Sequence, residues 1–327
     1  MPMREINYLQ GIREGLQHVL EHDPTALLFG QDVGAFGGAF KLTDGLQETF
    51  GCERVFDTPI CESAMLGCAI GMATQGLHPI VEMQFADFIT TALHQLLNNA
   101  GTRHYRTGNA VPMVIRAPSG GGSGGGPFHS EELESFFCHM PGVKVVYPAF
   151  PSDARALIVS AVADPNPVVY MENKTIYRTV KERVSDELEP VPIGKARVCH
   201  EGQDAVVIAY GAMVHEALRA AGELQASDGY EVMVLDLRSL KPYDLDTILA
   251  AVAATGRALV VSEGWKTCGF AAEISAAITE SAFHLLDAPV RRLTAPDTPI
   301  PFSATLENRY RPSAPAIATA LRQLIEF

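Results

Sequence analysis

Residues 57–83 read DTPICESAMLGCAIGMATQGLHPIVEM, and this stretch decides the fold. Residues 62–75 are small and apolar and read as a helix, and HPIVEM after them reads as a short strand buried on both faces. A helix feeding a fully buried strand is the unit of a parallel sheet covered by helices. Between Asp57 and Gly76 the only charge is Glu62. A carboxylate entering so apolar a helix is either a first-turn acid answering the helix dipole or a group buried for chemistry, and the pattern leaves both open.

The same alternation extends outward. Apolar strands at 111–116 (VPMVIR), 143–148 (VKVVYP) and 166–171 (NPVVYM) are separated by helical stretches at 88–101, 130–137 and 152–163. Upstream, Ile6, Leu9, Ile12, Leu16, Val19 and Leu20 repeat at helical spacing, which predicts a helix over 5–21; Asp23-Pro24 stops it and ALLFG follows as a strand. The pattern fails from about 176 to 196, a charged segment with two prolines that reads as a linker. It restarts with DAVVIAYG, EVMVLDL, RALVVSEG and PVRRLTAP, interleaved with helices at 213–226, 244–254 and 270–282, and a last helix near 314–325. The expectation is an α/β chain of two domains, 1–178 and 197–327, joined by a linker at 179–196.

Composition narrows the function. The chain has 327 residues, 47% of them hydrophobic, with 25 basic against 38 acidic residues and a net charge of -13. That field repels phosphate backbones and no basic cluster offsets it, so nucleic acid is excluded as an expected partner. The six cysteines form no C-x-x-C pair and no zinc spacing, and read as free, buried thiols of a reducing compartment. The start, MPMREINYLQ, lacks a basic segment followed by an apolar one, and no apolar stretch approaches the roughly 18 residues of a spanning helix. These features predict a cytoplasmic protein with no membrane partner.

Several constellations could carry chemistry. SGGGSGGGPFHSEE, residues 119–132, holds six glycines between a strand and a helix. A phosphate loop would end in G-K-[ST], whereas this run ends in Pro127, Phe128 and His129. It is either a floppy surface loop or a mobile segment that delivers His129 to a pocket, with Ser130 capping the next helix and Glu131 and Glu132 in its first turn. His18 and His22 have metal-ligand spacing but no third ligand, and read as surface histidines. No G-x-S-x-G elbow supports a serine hydrolase, and a Cys138/His129 pair lacks an orienting acid. Gly67 and Gly71, with Ala64, Cys68 and Ala73, leave one helix face nearly bare, which suits close packing at a subunit interface.

DTPICESAMLGCAIGMATQGLHPIVEMQFADF, the glycine run ending in His129-Ser130, GVKVVYP and DPNPVVYMENKTIYR together resemble the beta subunit of the thiamine-diphosphate-dependent 2-oxoacid dehydrogenases, which include the pyruvate, branched-chain 2-oxoacid and acetoin enzymes. The resemblance continues through IGKARV, VLDLRSLKPYDLDTI, GFAAEIS and APDTPIP, nearly end to end. It implies a pyrimidine-binding, parallel-sheet domain followed by a transketolase C-terminal-like α/β domain. It also implies that Glu62 hydrogen-bonds the cofactor's aminopyrimidine, favouring the tautomer whose nitrogen takes the proton from the thiazolium carbon. Ile60 and Phe88 match walls around that ring and Gln84 a polar neighbour. His129 matches a histidine near the reacting 2-oxoacid or the arriving lipoyl group. Met113, Ala161, Val162, Asp164 and Asn166 match positions that hold potassium in relatives, mostly through backbone carbonyls.

In such enzymes the diphosphate is held through magnesium by a Gly-Asp-Gly motif, and this chain contains none. The missing half must come from an alpha subunit, in a two-plus-two heterotetramer that acylates the lipoyl group of an acyltransferase core. The chain departs from the family at His94, usually Asp, at HSEELES, usually HSQSPEA, and in the plain glycines before His129. GGAFKLTDGL leans toward the branched-chain branch. An acetoin dehydrogenase, one half of a split transketolase and a noncatalytic scaffold of the complex are the alternatives.

Overall fold

Asn7 decides where the chain first turns helical. Its side chain accepts from the Gln10 N–H at 2.8 Å, and the Gln10 side chain accepts from the Asn7 N–H at 2.8 Å, a reciprocal cap that satisfies two helix-end donors. Strand β1 (Met3–Asn7) therefore precedes helix α1 (Tyr8–His22), which corrects the expected start at residue 5. The computed structural model describes residues 3–122 and 124–327. In chain order the elements that follow are β2 (Ala26–Gly30), α2 (Leu46–Phe50), β3 (Val55–Asp57), α3 (Glu62–Thr74), β4 (His78–Glu82), α4 (Gly101–Thr107), β5 (Val114–Ser119), α5 (Glu134–His139), β6 (Lys144–Val146), α6 (Pro151–Val162), β7 (Val168–Asn173) and β8 (Lys181–Ser185). Then come β9 (Arg197–His200), β10 (Ala205–Ala209), α7 (Ala212–Asp228), β11 (Val232–Asp236), β12 (Ser239–Lys241), α8 (Leu245–Thr255), β13 (Ala258–Trp265), α9 (Phe270–Ala282), β14 (Arg291–Ala295), α10 (Ala304–Tyr310) and α11 (Ala314–Ile325).

These elements form two units. One is built from the chain up to Ser119 with Phe136–Ile193, the other from Gly120–Ser135 with Gly194–Phe327. In the first, β6, β7, β5, β4, β2 and β3 lie side by side, all parallel, as continuous apolar strands predict. Helices α1 and α6 pack closely: a Cβ on Gly11 would stand 2.5 Å from the Pro151 carbonyl oxygen, so only glycine fits there. The segment expected as linker contains β8, which pairs antiparallel with β1. Its partner lies nearly the whole first unit away in sequence, which local periodicity cannot register. The helix expected over 88–101 is wound in three ways, as a 3₁₀ turn at Ala86–Ala92, a π turn at Gln95–Ala100, and then α4. Thr90 and Thr91 hydroxyls donate to the Asp87 and Phe88 carbonyls at 2.7 and 2.9 Å, competing with the regular ladder. The second unit is a sheet in the order β14, β13, β10, β11, β9, parallel except for β9.

A charged cluster sits inside the first unit. Arg116 on β5 donates to both oxygens of Glu172, at 2.7 and 2.9 Å, and to Glu82, and Tyr177 donates to Glu172 at 2.7 Å. Register accounts for it, since Glu82 pairs with Arg116 across β4 and β5, and Glu172 lies two residues beyond Tyr170, the β7 partner of Arg116. All three charged side chains are buried. Burial holds the Glu82 carboxyl above its ordinary range, opposed by Arg116 and reinforced by Glu172. Arg116→Met leaves two buried carboxylates without a cation, and stability in denaturant titration should fall by about 3–5 kcal/mol. A loss under about 1 kcal/mol would show that the cluster does not hold the strand ends together.

Candidate active site

In a parallel sheet, ligands meet the chain beyond the carboxyl ends of the strands. Gln31 and Asp32 follow β2, Glu62 opens α3 just after β3, and Gln84 follows β4, so all four lie beyond strand carboxyl ends of the first unit. Helix α3 has no side-chain cap from Cys61, and Glu62 is the acid of its first turn. The Glu62 carboxylate accepts from Gln31 Nε2 at 3.0 Å and from Thr91 Oγ1 at 3.3 Å, both neutral donors. It therefore does two things at once: it answers the helix dipole, and it is aimed by two side chains from separate loops. Glu62 is half-buried, not enclosed.

The other expected wall residues spread around it. Thr91 bridges Glu62 to the Phe88 carbonyl, and Phe88 packs edge-on against Phe85 with ring centroids 5.7 Å apart. Gln84 Nε2 donates to Asp32 Oδ2 at 3.2 Å. Ile60 is 82% exposed, so nothing among the described residues covers that wall. Of the expected small-residue face of α3, Ala64, Cys68 and Gly71 are exposed, and a Cβ on Gly71 would meet nothing within 4 Å among the described residues, whereas Gly67 is half-buried and Ala73 turns into the core. Gln31 and Thr91 were not singled out in the sequence, because a neutral polar residue in a loop carries no periodic signal.

His129 follows a 3₁₀ turn at Gly126–Phe128 and belongs, with the glycine run, to the second unit. The helix expected over 130–137 starts later, at Glu134, so Ser130 is not its cap and Glu131 and Glu132 are not its first turn. Ser130 Oγ is buried without a hydrogen-bond partner among the described residues. The start is set by Glu134, whose buried carboxylate accepts from Tyr210 at 2.8 Å and from Ser262 at 3.2 Å. Nor is the described part of the run, which omits Ser123, a free loop: Gly121 and Gly122 donate their N–H groups to Glu263 and Glu307.

Of the five residues expected around potassium, Ala161 and Val162 end α6, Asp164 and Asn166 lie in the turn before β7, and Met113 precedes β5. Asp164 N–H donates to the Ala161 carbonyl at 3.3 Å, Asn166 N–H to Asp164 Oδ1 at 2.9 Å, and Val168 N–H to the Met113 carbonyl at 2.9 Å, while Val162 ends α6. Lys144 pairs with the Asp164 carboxylate, so a cation here would be left to carbonyl oxygens. The His18 and His22 rings stack at 4.1 Å, and among the described residues no group of three or more His, Cys, Asp or Glu could hold a metal. The cysteines are free, as expected, but four are exposed and none is fully buried; Cys61 and Cys68 lie at the uncovered surface of α3. Among the described residues no helix is long and apolar enough to cross a membrane.

Comparison with known proteins now adds to this geometry. The family profile "Transketolase, pyrimidine binding domain" matches residues 4–180, and "Transketolase, C-terminal domain" matches 194–317. The chain is similar to the 2-oxoisovalerate dehydrogenase subunit beta of Bacillus subtilis (strain 168), with 42% identity over 99% of this chain and 100% of that one. It is equally similar to the pyruvate dehydrogenase E1 component subunit beta of the same organism, again 42% identical over 99% and 100%. A solved structure described as a split-gene transketolase in an inactive beta4 tetramer superposes with a TM-score of 0.79 over 98% of each chain; at 22% identity it speaks for the fold alone.

Burial raises the Glu134 carboxyl to about 7, against the pull of Tyr210 and Ser262. Its ordinary value is lower, so from about pH 4.5 to pH 7 the folded form keeps a proton that the unfolded form has lost, and folding weakens as pH rises. The full cost, about 3 kcal/mol, is present above pH 7. Glu134→Gln should therefore lose less stability than the unsubstituted chain between pH 5 and pH 8, measured by thermal unfolding at both. Parallel losses in the two proteins would mean that Glu134 ionises as an ordinary carboxyl.

Proposed function

The chain belongs to the beta-subunit family of the thiamine-diphosphate-dependent 2-oxoacid dehydrogenases, and on that premise we propose that it serves as the beta half of an enzyme that oxidatively decarboxylates a 2-oxoacid and passes the acyl group to the lipoyl arm of an acyltransferase. The observation that carries the assignment of the site is Glu62: a carboxylate beyond the strand ends, at the head of an apolar helix, aimed by two neutral donors. That donor set fits an aminopyrimidine ring, since no cation competes in those two bonds for the carboxyl that must share a proton with a ring nitrogen. When bound, thiamine diphosphate supplies the carbon nucleophile that attacks the 2-oxoacid and holds the electron pair as carbon dioxide leaves.

Glu62 would share a proton with the ring nitrogen, while Gln31 and Thr91 hold its two oxygens in place. Phe88 and Ile60 supply apolar walls and Gln84 a polar edge. His129 meets the substrate or the lipoyl group. The exposed Ile60 and the open face of α3 are where an alpha subunit closes the site, bringing the Gly-Asp-Gly motif that this chain lacks. Equal identity to a branched-chain and a pyruvate enzyme leaves the side chain of the 2-oxoacid to a substrate screen. Met113, Ala161, Val162, Asp164 and Asn166 are the residues that would hold potassium, mostly through carbonyl oxygens, and a higher melting temperature in potassium than in choline chloride would support it.

Two measurements test the reading. The purified chain should not turn over a 2-oxoacid, and mixing with an alpha subunit should restore activity in a two-plus-two assembly; turnover by the chain alone would sink it. In that assembly Glu62→Gln should slow hydrogen-deuterium exchange at the thiazolium carbon by about 10²-fold, while stability changes by no more than about 1 kcal/mol. Exchange at the unsubstituted rate with cofactor bound would return Glu62 to the role of a plain first-turn acid.

A further inference from the structure

The glycine run before His129 looks like a phosphate-binding loop without its lysine, and the second unit shows what its N–H groups do instead. Gly122 N–H donates to Glu307 Oε1 at 2.6 Å and Gly124 N–H to Glu307 Oε2 at 3.0 Å, so one carboxylate takes two amides of the loop on its two oxygens. Gly121 N–H donates to Glu263 Oε1 at 2.8 Å, and Arg311 Nε donates to the same oxygen at 2.5 Å. Glu307 is only 1% exposed, and a carboxylate so buried persists only if its oxygens are satisfied. Successive N–H groups converging on an anion make a nest, and here the anion is part of the chain.

The glycines are what this closure requires. A Cβ on Gly121 would stand 2.9 Å from Glu307 Oε1, and Gly122 and Gly124 take φ of 95° and 72°, the left-handed region that favours glycine. Gly126 lies under the Phe302 ring, where a Cβ would clash. The run is thus clipped at several points by residues 142 to 185 positions later in the chain.

We propose that Glu307 is a positioning residue: its two-oxygen hold on Gly122 and Gly124 sets the path of the loop and so the place at which His129 is presented to the lipoyl group. This rests on the reading of His129 above. The same hold leaves no phosphate function for these amides, because their donors are already engaged.

The test uses the full chain assembled with its alpha subunit. Glu307→Gln keeps size but replaces one acceptor oxygen with a donor facing an N–H. Amide exchange followed by mass spectrometry over 119–130 should quicken by about 10-fold or more, the effect of losing one charge-assisted hydrogen bond. The ratio of acyl transfer to a free lipoyl domain over decarboxylation with an artificial electron acceptor should fall by about 10-fold. Gly124→Ala, which disturbs the other side of the same contact, should do likewise and carries the test should Glu307→Gln fail to assemble. Unchanged exchange, or faster exchange with an unchanged ratio, overturns the proposal. His129→Ala, run alongside, tells the failures apart. If it is silent, the histidine assignment falls and the positioning role with it; if it is impaired while Glu307→Gln is silent, the latch alone is wrong.

Discussion

One buried guanidinium ties together three neighbouring strands of the first unit. Arg116 holds Glu172 with two parallel bonds and Glu82 with a third contact, tying β4, β5 and β7 together where the chain leaves the sheet. Two buried carboxyls compete for one cation, and the Tyr177 hydroxyl donates to one of them, Glu172. Such a cluster is poor at adding stability over an apolar core, because desolvation offsets most of the attraction. Its effect is geometric. A Cβ on Gly38 would stand 3.4 Å from a Glu82 oxygen, so the loop after β2 lies against the cluster, and that loop begins with Gln31, which aims Glu62.

Four glutamates illustrate how surroundings decide what a carboxyl does. Glu62 is half-buried between neutral donors and presents a hydrogen-bonding edge to whatever binds beyond the sheet. Glu82 is sealed beside a cation it shares. Glu134 is buried beside two hydroxyls and keeps its proton to about pH 7. Glu307 is buried against backbone N–H groups, which take both of its oxygens.

The open face of α3 gives the subunit character of the family a physical form. An α-helix apolar all round should be covered on every side, yet Ala64, Cys68 and Gly71 face outward here, beside an Ile60 that is almost fully exposed. Small residues let another backbone approach closely. A site whose carboxylate is aimed but not enclosed, next to a face that is bare, is what the alpha subunit proposed above would complete.

By itself the sequence determined the alternation of strand and helix, the parallel sheet, the point where Glu62 enters α3, and the family, because these are written in local periodicity and in contiguous motifs. It also marked the glycine run and His129 as unusual. Tertiary structure alone decided what the run is for. Its partners Glu263 and Glu307 come from β13 and α10, and the short α10 has no counterpart in the expected elements. Residues 181–185, which read as linker, became a strand only because β1 offers them a ladder. Gln31, Thr91 and Arg116 acquire their roles in the same way. A hydrogen bond between residues far apart in the chain leaves no periodic trace along it, so a single sequence shows which groups are available and only the fold shows which of them meet.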